Sequence, residues 1–368
     1  SLDPLIFAET DGEPGLPELN LAVRDGRGLL ETAYGPIGIK LEGEGRIDDG
    51  FSGIAAAAAP ALDLPGCALR HASVYGRLTT ADGEPAFTGP VRLGSGACGA
   101  LTLAQFAAGV RAKASSDLRD FSGRASLQSS RIAGSGFSAK GLDGTMRASW
   151  RDGIFAANHT LALRGVDTPQ VSGALLTLEG TARATSGFAN ATWRGDVEAN
   201  GLRPGRQAEA ALSGLAGTGA GTLVEPIVRR IAAALRREAQ GSAFTADLTA
   251  RRKEGGIALF MAQGELRGGS GRKLVSLSQV QASQAGEAPA RFSGNFAMGG
   301  SDLPTMSGRM ESGGAGALVF RLAMAPYEAD GSEIAIPRLA LAQRADGGFD
   351  FTGEALMSGA LPGGSGHE

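Results

Sequence analysis

Residues 37–48, which read IGIKLEGEGRID, decide the fold class of this chain. Ile37, Ile39 and Leu41 occupy alternate positions, and Lys40 and Glu42 fall on the other side of an extended backbone. Because successive side chains of a β-strand point to opposite faces, the segment predicts a strand with one apolar and one polar face. The same alternation recurs in five further segments, at 153–164, 172–185, 187–200, 242–252 and 257–267.

The composition favours a broad and shallow apolar surface. The chain has 368 residues, of which 58 are glycine; hydrophobic residues make up 42% of the total, but aromatic residues only 5%. Large side chains supply most of the buried area of a compact core, and here alanine supplies much of the apolar content. Pairs such as Asp82-Gly83 and Asp152-Gly153 are typical of tight turns between antiparallel neighbours.

One segment breaks the strand pattern and predicts an amphipathic helix. Its apolar residues recur every three or four positions, with arginines between them. These residues are Leu223, Val224, Ile227, Val228, Ile231 and Leu235. With a shorter helix before it, the segment forms a predicted helical hairpin inserted in the sheet. The chain then divides into a β-segment at 1–204, the helical insertion at 205–240, a second β-segment at 241–360 and a flexible tail at 361–368.

We therefore predict a mainly β protein whose long, curled antiparallel sheet forms an elongated hydrophobic groove. The residues expected to share the concave apolar surface have the same phase within their strands. They are Ile37, Ile39, Leu41, Ile47, Phe155, Leu161, Leu163, Leu176, Leu178, Trp193, Val197, Phe244, Leu248, Phe260 and Leu266.

The two cysteines, Cys67 and Cys98, each lie in a glycine-bearing turn at the edge of a predicted strand. One reading is a disulfide, which would close a loop of about 30 residues and imply an oxidising compartment. The other reading is two unrelated free thiols. The disulfide requires Cα atoms less than about 7 Å apart.

Several functional classes lack support in the sequence. The net charge is −3, and no concentrated basic stripe of the kind that binds nucleic acid is present. The GxGxxG match at 94–99 follows a strand but opens no helix, so it does not predict a dinucleotide site. His71, His159 and His367 have no metal-ligand spacing. We predict no catalytic residue, cofactor or metal site.

The arrangement resembles the AsmA-like proteins, and within them the YdbH-type intermembrane phospholipid transport proteins, relatives of TamB. Many one-sided strands, few aromatics and the inserted helix EPIVRRIAAALRREAQGSAF carry this resemblance, which spans nearly the whole chain. The resemblance implies a non-enzymatic protein of the periplasm of Gram-negative bacteria. Phospholipid acyl chains would move along the apolar surface listed above, from the inner membrane towards the outer membrane.

The resemblance also implies an N-terminal anchor in the inner membrane, which this sequence would lack, and an outer-membrane partner protein. The alternative is a structural or adhesive secreted β-protein of the solenoid type. Solenoids have a fixed short repeat, whereas here the strand lengths vary and a helix interrupts them.

Overall fold

The computed structural model of the chain describes residues 15–186, 189–217, 220–222, 224–253, 255–286, 288–300, 302–313, 317–344 and 349–359. Within these residues, 21 strands form one long antiparallel sheet, with two helices inserted. The predicted fold class, a mainly β protein with a long antiparallel sheet and a helical insertion, is confirmed. Leu223 and the predicted tail at 361–368 lie outside the described residues.

The first ten strands are β1 (Asn20–Thr32), β2 (Gly35–Arg46), β3 (Ser52–Leu64), β4 (Cys67–Ala81), β5 (Glu84–Cys98), β6 (Leu101–Ala114), β7 (Phe121–Ser129), β8 (Arg131–Gly134), β9 (Phe137–Ala139) and β10 (Gly141–Arg151). The remaining strands are β11 (Ile154–Asp167), β12 (Val171–Thr185), β13 (Ala191–Pro204), β14 (Ser242–Lys253), β15 (Gly256–Arg267), β16 (Lys273–Ala285), β17 (Arg291–Gly300), β18 (Leu303–Ser312), β19 (Leu318–Ala329), β20 (Ser332–Gln343) and β21 (Phe349–Ser358).

The chain divides into two compact units. Unit 1 comprises the residues up to Ser135 together with Gly141–His159, and unit 2 comprises Gly136–Lys140 together with the residues from Thr160 onward. In unit 1, β1 to β6 pair consecutively, β6 pairs with β7 and β8, and β7 pairs with β10. In unit 2, β12 to β21 pair consecutively. The division into four sequence segments given above remains a prediction.

Two tight turns contain Asp-Gly pairs, as the sequence predicts. Asp82 and Gly83 connect β4 to β5, and their φ angles are 52° and 77°. Asp152 and Gly153 connect β10 to β11 with φ angles of 49° and 72°. Positive φ at both central residues matches the right-handed twist of the flanking strands, and glycine adopts it without a steric penalty.

A row of backbone irregularities crosses unit 1. On β3 to β6 the regular pairing is interrupted at matching positions, which hold Pro60, His71, Gly94 and Gln105. His71 and Gln105 have φ angles of 54° and 48°. Such irregularities bend a strand and shift its alternation by one residue. The shift is visible on β5, since a Cβ placed on Gly96 would lie 2.9 Å from a methyl carbon of Leu93, three residues earlier.

Helices α1 (Arg206–Gly217) and α2 (Glu225–Ala239) lie between β13 and β14. These two strands pair directly with each other, so the sheet continues past the insertion. The apolar side of α2 packs on the sheet, where Ala234, Leu274 and Leu303 form a buried cluster flanked by Ile231, Leu235 and Val275. Burial of an apolar stripe against other elements is what stabilises a helix of this length.

Polar contacts fix the position of α2. Arg237 donates to the carboxylate of Asp302 at 2.6 Å, and Arg230 donates to its other oxygen at 3.4 Å. At the C-terminal end of α2, the buried Glu238 accepts hydrogen bonds from the hydroxyl of Ser270 at 2.7 Å and from its backbone N–H at 3.2 Å. The hydroxyl of Ser270 is the main cause that holds the pKa of Glu238 below its usual range.

Candidate functional site

The strand register of unit 1 defines an apolar face that runs across adjacent strands. Residues directly opposite one another in an antiparallel pair point to the same side of the sheet. Following these pairs from β2 to β10 gives Ile37, Ile39, Leu41, Ala55, Ala57, Val74, Leu78, Phe87, Val91, Ala108, Val110, Ala125, Leu127, Met146 and Ala148. Of these, Ile37, Ile39 and Leu41 are predicted site residues.

The other side of unit 1 is polar. It carries Lys40, Arg77, Thr88, Arg111, Ser122, Arg124 and Arg147. Side chains on this polar face are mostly exposed, whereas those on the apolar face are mostly half-buried. The apolar face is therefore the less solvent-exposed side of the unit, although its side chains are not enclosed in a core from which water is excluded.

Unit 2 has an apolar face of its own, and the register brings seven predicted residues onto it. Leu178 lies opposite Val197, and Trp193 lies on the same side of β13. Phe244 lies opposite Leu266. The complete predicted set on this face is Leu176, Leu178, Trp193, Val197, Phe244, Leu248 and Leu266. The role of these residues in binding lipid remains a prediction.

Phe260 was predicted to lie on the apolar face, and this placement is wrong. The pairing puts Phe260 opposite Thr249 and Gln281, on the polar face. The reason is a β-bulge in β15, where Met261 pairs with Leu248 but Gly264 pairs with Ala246. The extra residue in the bulge reverses the alternation. Met261 therefore takes the apolar position that the sequence pattern gave to Phe260.

Phe260 lies in a shallow hollow of about 690 Å³ on the polar face of unit 2. Its side chain is 41% exposed. The lining also includes Arg194, Asp247, Arg251 and Arg291. An apolar ring among charged side chains is thus a feature of the polar face.

Ile47 was predicted to continue the alternation of β2, and this placement is also wrong. Strand β2 ends at Arg46, and Ile47 lies in the following turn. Gly45, with a φ angle of 119°, interrupts the extended backbone just before it. The backbone N–H of Ile47 donates to the carbonyl oxygen of Leu19 at 2.8 Å.

Strand β11 holds the remaining predicted residues. Phe155 belongs to unit 1 and is half-buried, while Leu161 and Leu163 belong to unit 2 and are half-buried and buried. Within each part of the strand they alternate with more exposed residues such as Asn158 and Thr160. This alternation is consistent with the predicted phase.

Of the apolar lining contributed by β15 to β20, Leu266 alone was predicted correctly from the sequence. The register adds Leu259, Met261, Val275, Leu277, Val280, Phe292, Phe296, Met298, Met306, Met310, Phe320, Leu322, Met324, Leu339 and Leu341. The signal was present, since Phe292, Phe296 and Met298 share one phase of the strand, and Ser293 and Asn295 have the other. Bulges in β15 and β16, the latter at Gln279 with a φ angle of 53°, broke the pattern.

Aromatic rings lie over glycines on both apolar faces. A Cβ on Gly180 would lie 3.0 Å from the indole ring of Trp193 on the neighbouring strand. A Cβ on Gly76 would lie 2.7 Å from the ring of Phe87. The ring occupies the space that a side chain on the glycine would need. Each pair therefore adds apolar area without projecting far from the sheet. Trp193 and Phe87 thus each cover a glycine position on the neighbouring strand.

Cys67 and Cys98 lie directly opposite each other on β4 and β5 and form a disulfide, with Cα atoms 4.1 Å apart. Their positions at the ends of two paired strands, beside the turn at Gly66 and the turn at Gly99, bring the two sulfur atoms together. The bond joins residues 31 positions apart and fastens the end of this hairpin.

Within the described ranges, no group of three or more His, Cys, Asp or Glu side chains is placed to hold a metal ion. In the same ranges, none of the helices has both the length and the apolar character needed to cross a membrane. The described part of each apolar face consists mainly of aliphatic, aromatic, methionine and glycine residues. The chemistry they offer is contact with another apolar surface.

The chain matches the family described as YdbH-like, intermembrane phospholipid transport protein YdbH, over residues 1–359. The chain belongs to the YdbH-like family. The resemblance drawn from the strand pattern and the inserted helix is thereby confirmed, and intermembrane phospholipid transport is the activity of this family. No curated protein and no solved structure gave a match to the chain.

Proposed function

We propose that this YdbH-like chain conducts phospholipids between the inner and outer membranes of a Gram-negative bacterium, with acyl chains on its apolar faces. The observation that carries the proposal is the register-defined separation of the two sheet faces in each unit. One face offers aliphatic and aromatic contacts, and the opposite face is polar.

Physical chemistry supports an apolar occupant. An extended sheet face of Leu, Val, Phe and Met that stays half-exposed to water is unfavourable, and in soluble proteins it marks a binding surface. Acyl chains supply non-directional apolar contact without needing hydrogen bonds. Contacts with side chains that protrude little from the sheet are individually weak, which suits a lipid that must move along the protein.

The protein is proposed to act without covalent chemistry. Transfer requires only that lipid exchanges water contacts for protein contacts. A periplasmic location is part of the proposal. The disulfide between Cys67 and Cys98 supports it, because such bonds persist in oxidising compartments of the cell envelope.

Lipid analysis of the purified chain tests this proposal. The protein is expressed with export to the periplasm, purified without detergent and extracted for mass spectrometry. We expect phospholipid to co-purify in a fixed ratio, at least several-fold above the amount carried by a periplasmic protein of similar size. Absence of phospholipid, or recovery equal to that control, would contradict the proposal.

A further inference from the structure

Three arginines stand directly opposite one another on the polar face of unit 1. Arg111 on β6 pairs with Arg124 on β7, and Arg124 pairs in turn with Arg147 on β10. We call Arg111, Arg124 and Arg147 the arginine row. Arg77 lies in the same line two strands beyond Arg111, separated from it by Thr88.

The arginine row is electrostatically unfavourable as it stands. Side chains directly opposite each other in an antiparallel pair have Cβ atoms about 5 Å apart, and like charges at this spacing destabilise a sheet. All three side chains are exposed. Within the described part of the chain, none of them forms a salt bridge or a side-chain hydrogen bond.

Some other arginines on the sheet are paired with acids. Arg70 contacts Asp63 at 2.8 Å, and Arg338 contacts Glu354 at 3.0 Å. The arginine row instead has hydroxyl neighbours. Ser122 and Ser126 lie two residues on either side of Arg124 on the same face of β7. The row therefore combines three uncompensated positive charges with short hydrogen-bonding side chains.

We propose that the arginine row binds a phosphate-bearing anion that carries at least two negative charges. The planar guanidinium group presents parallel N–H donors that match phosphate oxygens, and adjacent strands hold three such groups in one line. An anion on the row removes the repulsion that the register imposes. The row lies on the face opposite the apolar face, so this site is separate from the proposed acyl-chain path.

Calorimetric titration with pyrophosphate and with inorganic phosphate, at ionic strength held constant with sodium chloride, tests the proposal. We expect pyrophosphate to bind the native chain and Arg124→Gln to weaken binding at least tenfold. Arg183→Gln is the matched control, because Arg183 is an exposed arginine on the polar face of unit 2, opposite Thr192. This control is expected to bind as the native chain does.

Two further measurements separate the possible outcomes. At low salt Arg124→Gln should melt at or above the temperature of the native chain, because it removes repulsion; if it unfolds, Arg147→Gln replaces it. Sedimentation with vesicles of cardiolipin in phosphatidylcholine, and of phosphatidylcholine alone, identifies a lipid headgroup as the source if only the cardiolipin vesicles bind and the row variant abolishes this binding. Equal anion binding by the native chain and Arg124→Gln, or no binding of either probe or vesicle, would overturn the proposal.

Discussion

At the scale of single residues, the face on which a side chain lies decides what a substitution does. Leu178 lies on the apolar face of unit 2, opposite Val197, while the adjacent Thr177 lies opposite Glu198 on the polar face. The two positions share a strand, a local backbone and similar neighbours along the chain. They differ in whether the side chain would meet hydrocarbon or water.

Leu178→Asp is therefore expected to abolish most lipid recovery, whereas Thr177→Asp is expected to leave it nearly unchanged. A carboxylate against hydrocarbon loses its hydration, at a cost of several kcal/mol, so acyl chains avoid the site. Phospholipid per protein in the two purified variants is the measurement, with circular dichroism as the folding control. Equal lipid content in two folded variants would count against the assignment of faces.

A second prediction at the scale of single residues concerns the loss of stability when the disulfide is removed. Cys67→Ser with Cys98→Ser removes a cross-link that closes a 31-residue separation. The loop-entropy relation gives a loss of about 3–4 kcal/mol in the free energy of unfolding. Urea unfolding of unit 1 followed by circular dichroism measures it, and dithiothreitol on the native chain should give the same change. A loss below about 1 kcal/mol would show that the hairpin does not depend on the bond.

At the scale of elements, strand alternation was readable from the sequence and its interruptions were not. Period-two spacing identified the apolar side of β2, β12, β13 and β14, because the side-chain direction within a regular strand is fixed by geometry. It failed for Phe260, since a bulge depends on how two strands pair and leaves no clear local signal. It failed for Ile47 because β2 ends at Arg46, directly after Gly45 with its positive φ angle.

At the scale of elements, we also predict how Glu238 of α2 affects the pH dependence of the melting temperature. The pKa of Glu238 is lowered in the folded chain, chiefly by the hydroxyl of Ser270. When the pKa of a carboxyl group is lower in the folded chain, its contribution to the free energy of unfolding is complete above the pKa in the unfolded chain, about 4.3. That contribution is lost as the pH falls through the pKa in the folded chain. We expect Glu238→Gln to reduce the decline in melting temperature between pH 6 and pH 3.

The comparison of variant and native chain at each pH isolates Glu238 from the other carboxylates with lowered pKa values, such as Glu265 and Glu311. Ser270→Ala should act in the same direction, because it removes the group that causes the shift. An identical pH dependence in all three proteins would show that the contact between Glu238 and Ser270 does not help to hold α2.

At the scale of the whole molecule, the distinguishing property is a sheet that keeps its apolar residues on one side despite bulges. In unit 1 the irregular row at His71 and Gln105 shifts the alternation, yet Leu93 and Gly96 still share a side. In unit 2, Met261 and Gly264 share the side of Phe244 across the bulge in β15. Each unit thus presents an apolar face along its strands, which no single segment of sequence reveals.

The most direct test of this account is a photo-crosslinking scan in cells, with a photoreactive residue placed singly at adjacent positions in each unit. In unit 1 the positions are Ile39 and Lys40, and in unit 2 they are Phe260 and Met261. We predict phospholipid adducts at Ile39 and Met261, and none above background at Lys40 and Phe260. Lipid adducts at equal yield on both faces, or at Phe260 rather than Met261, would contradict it.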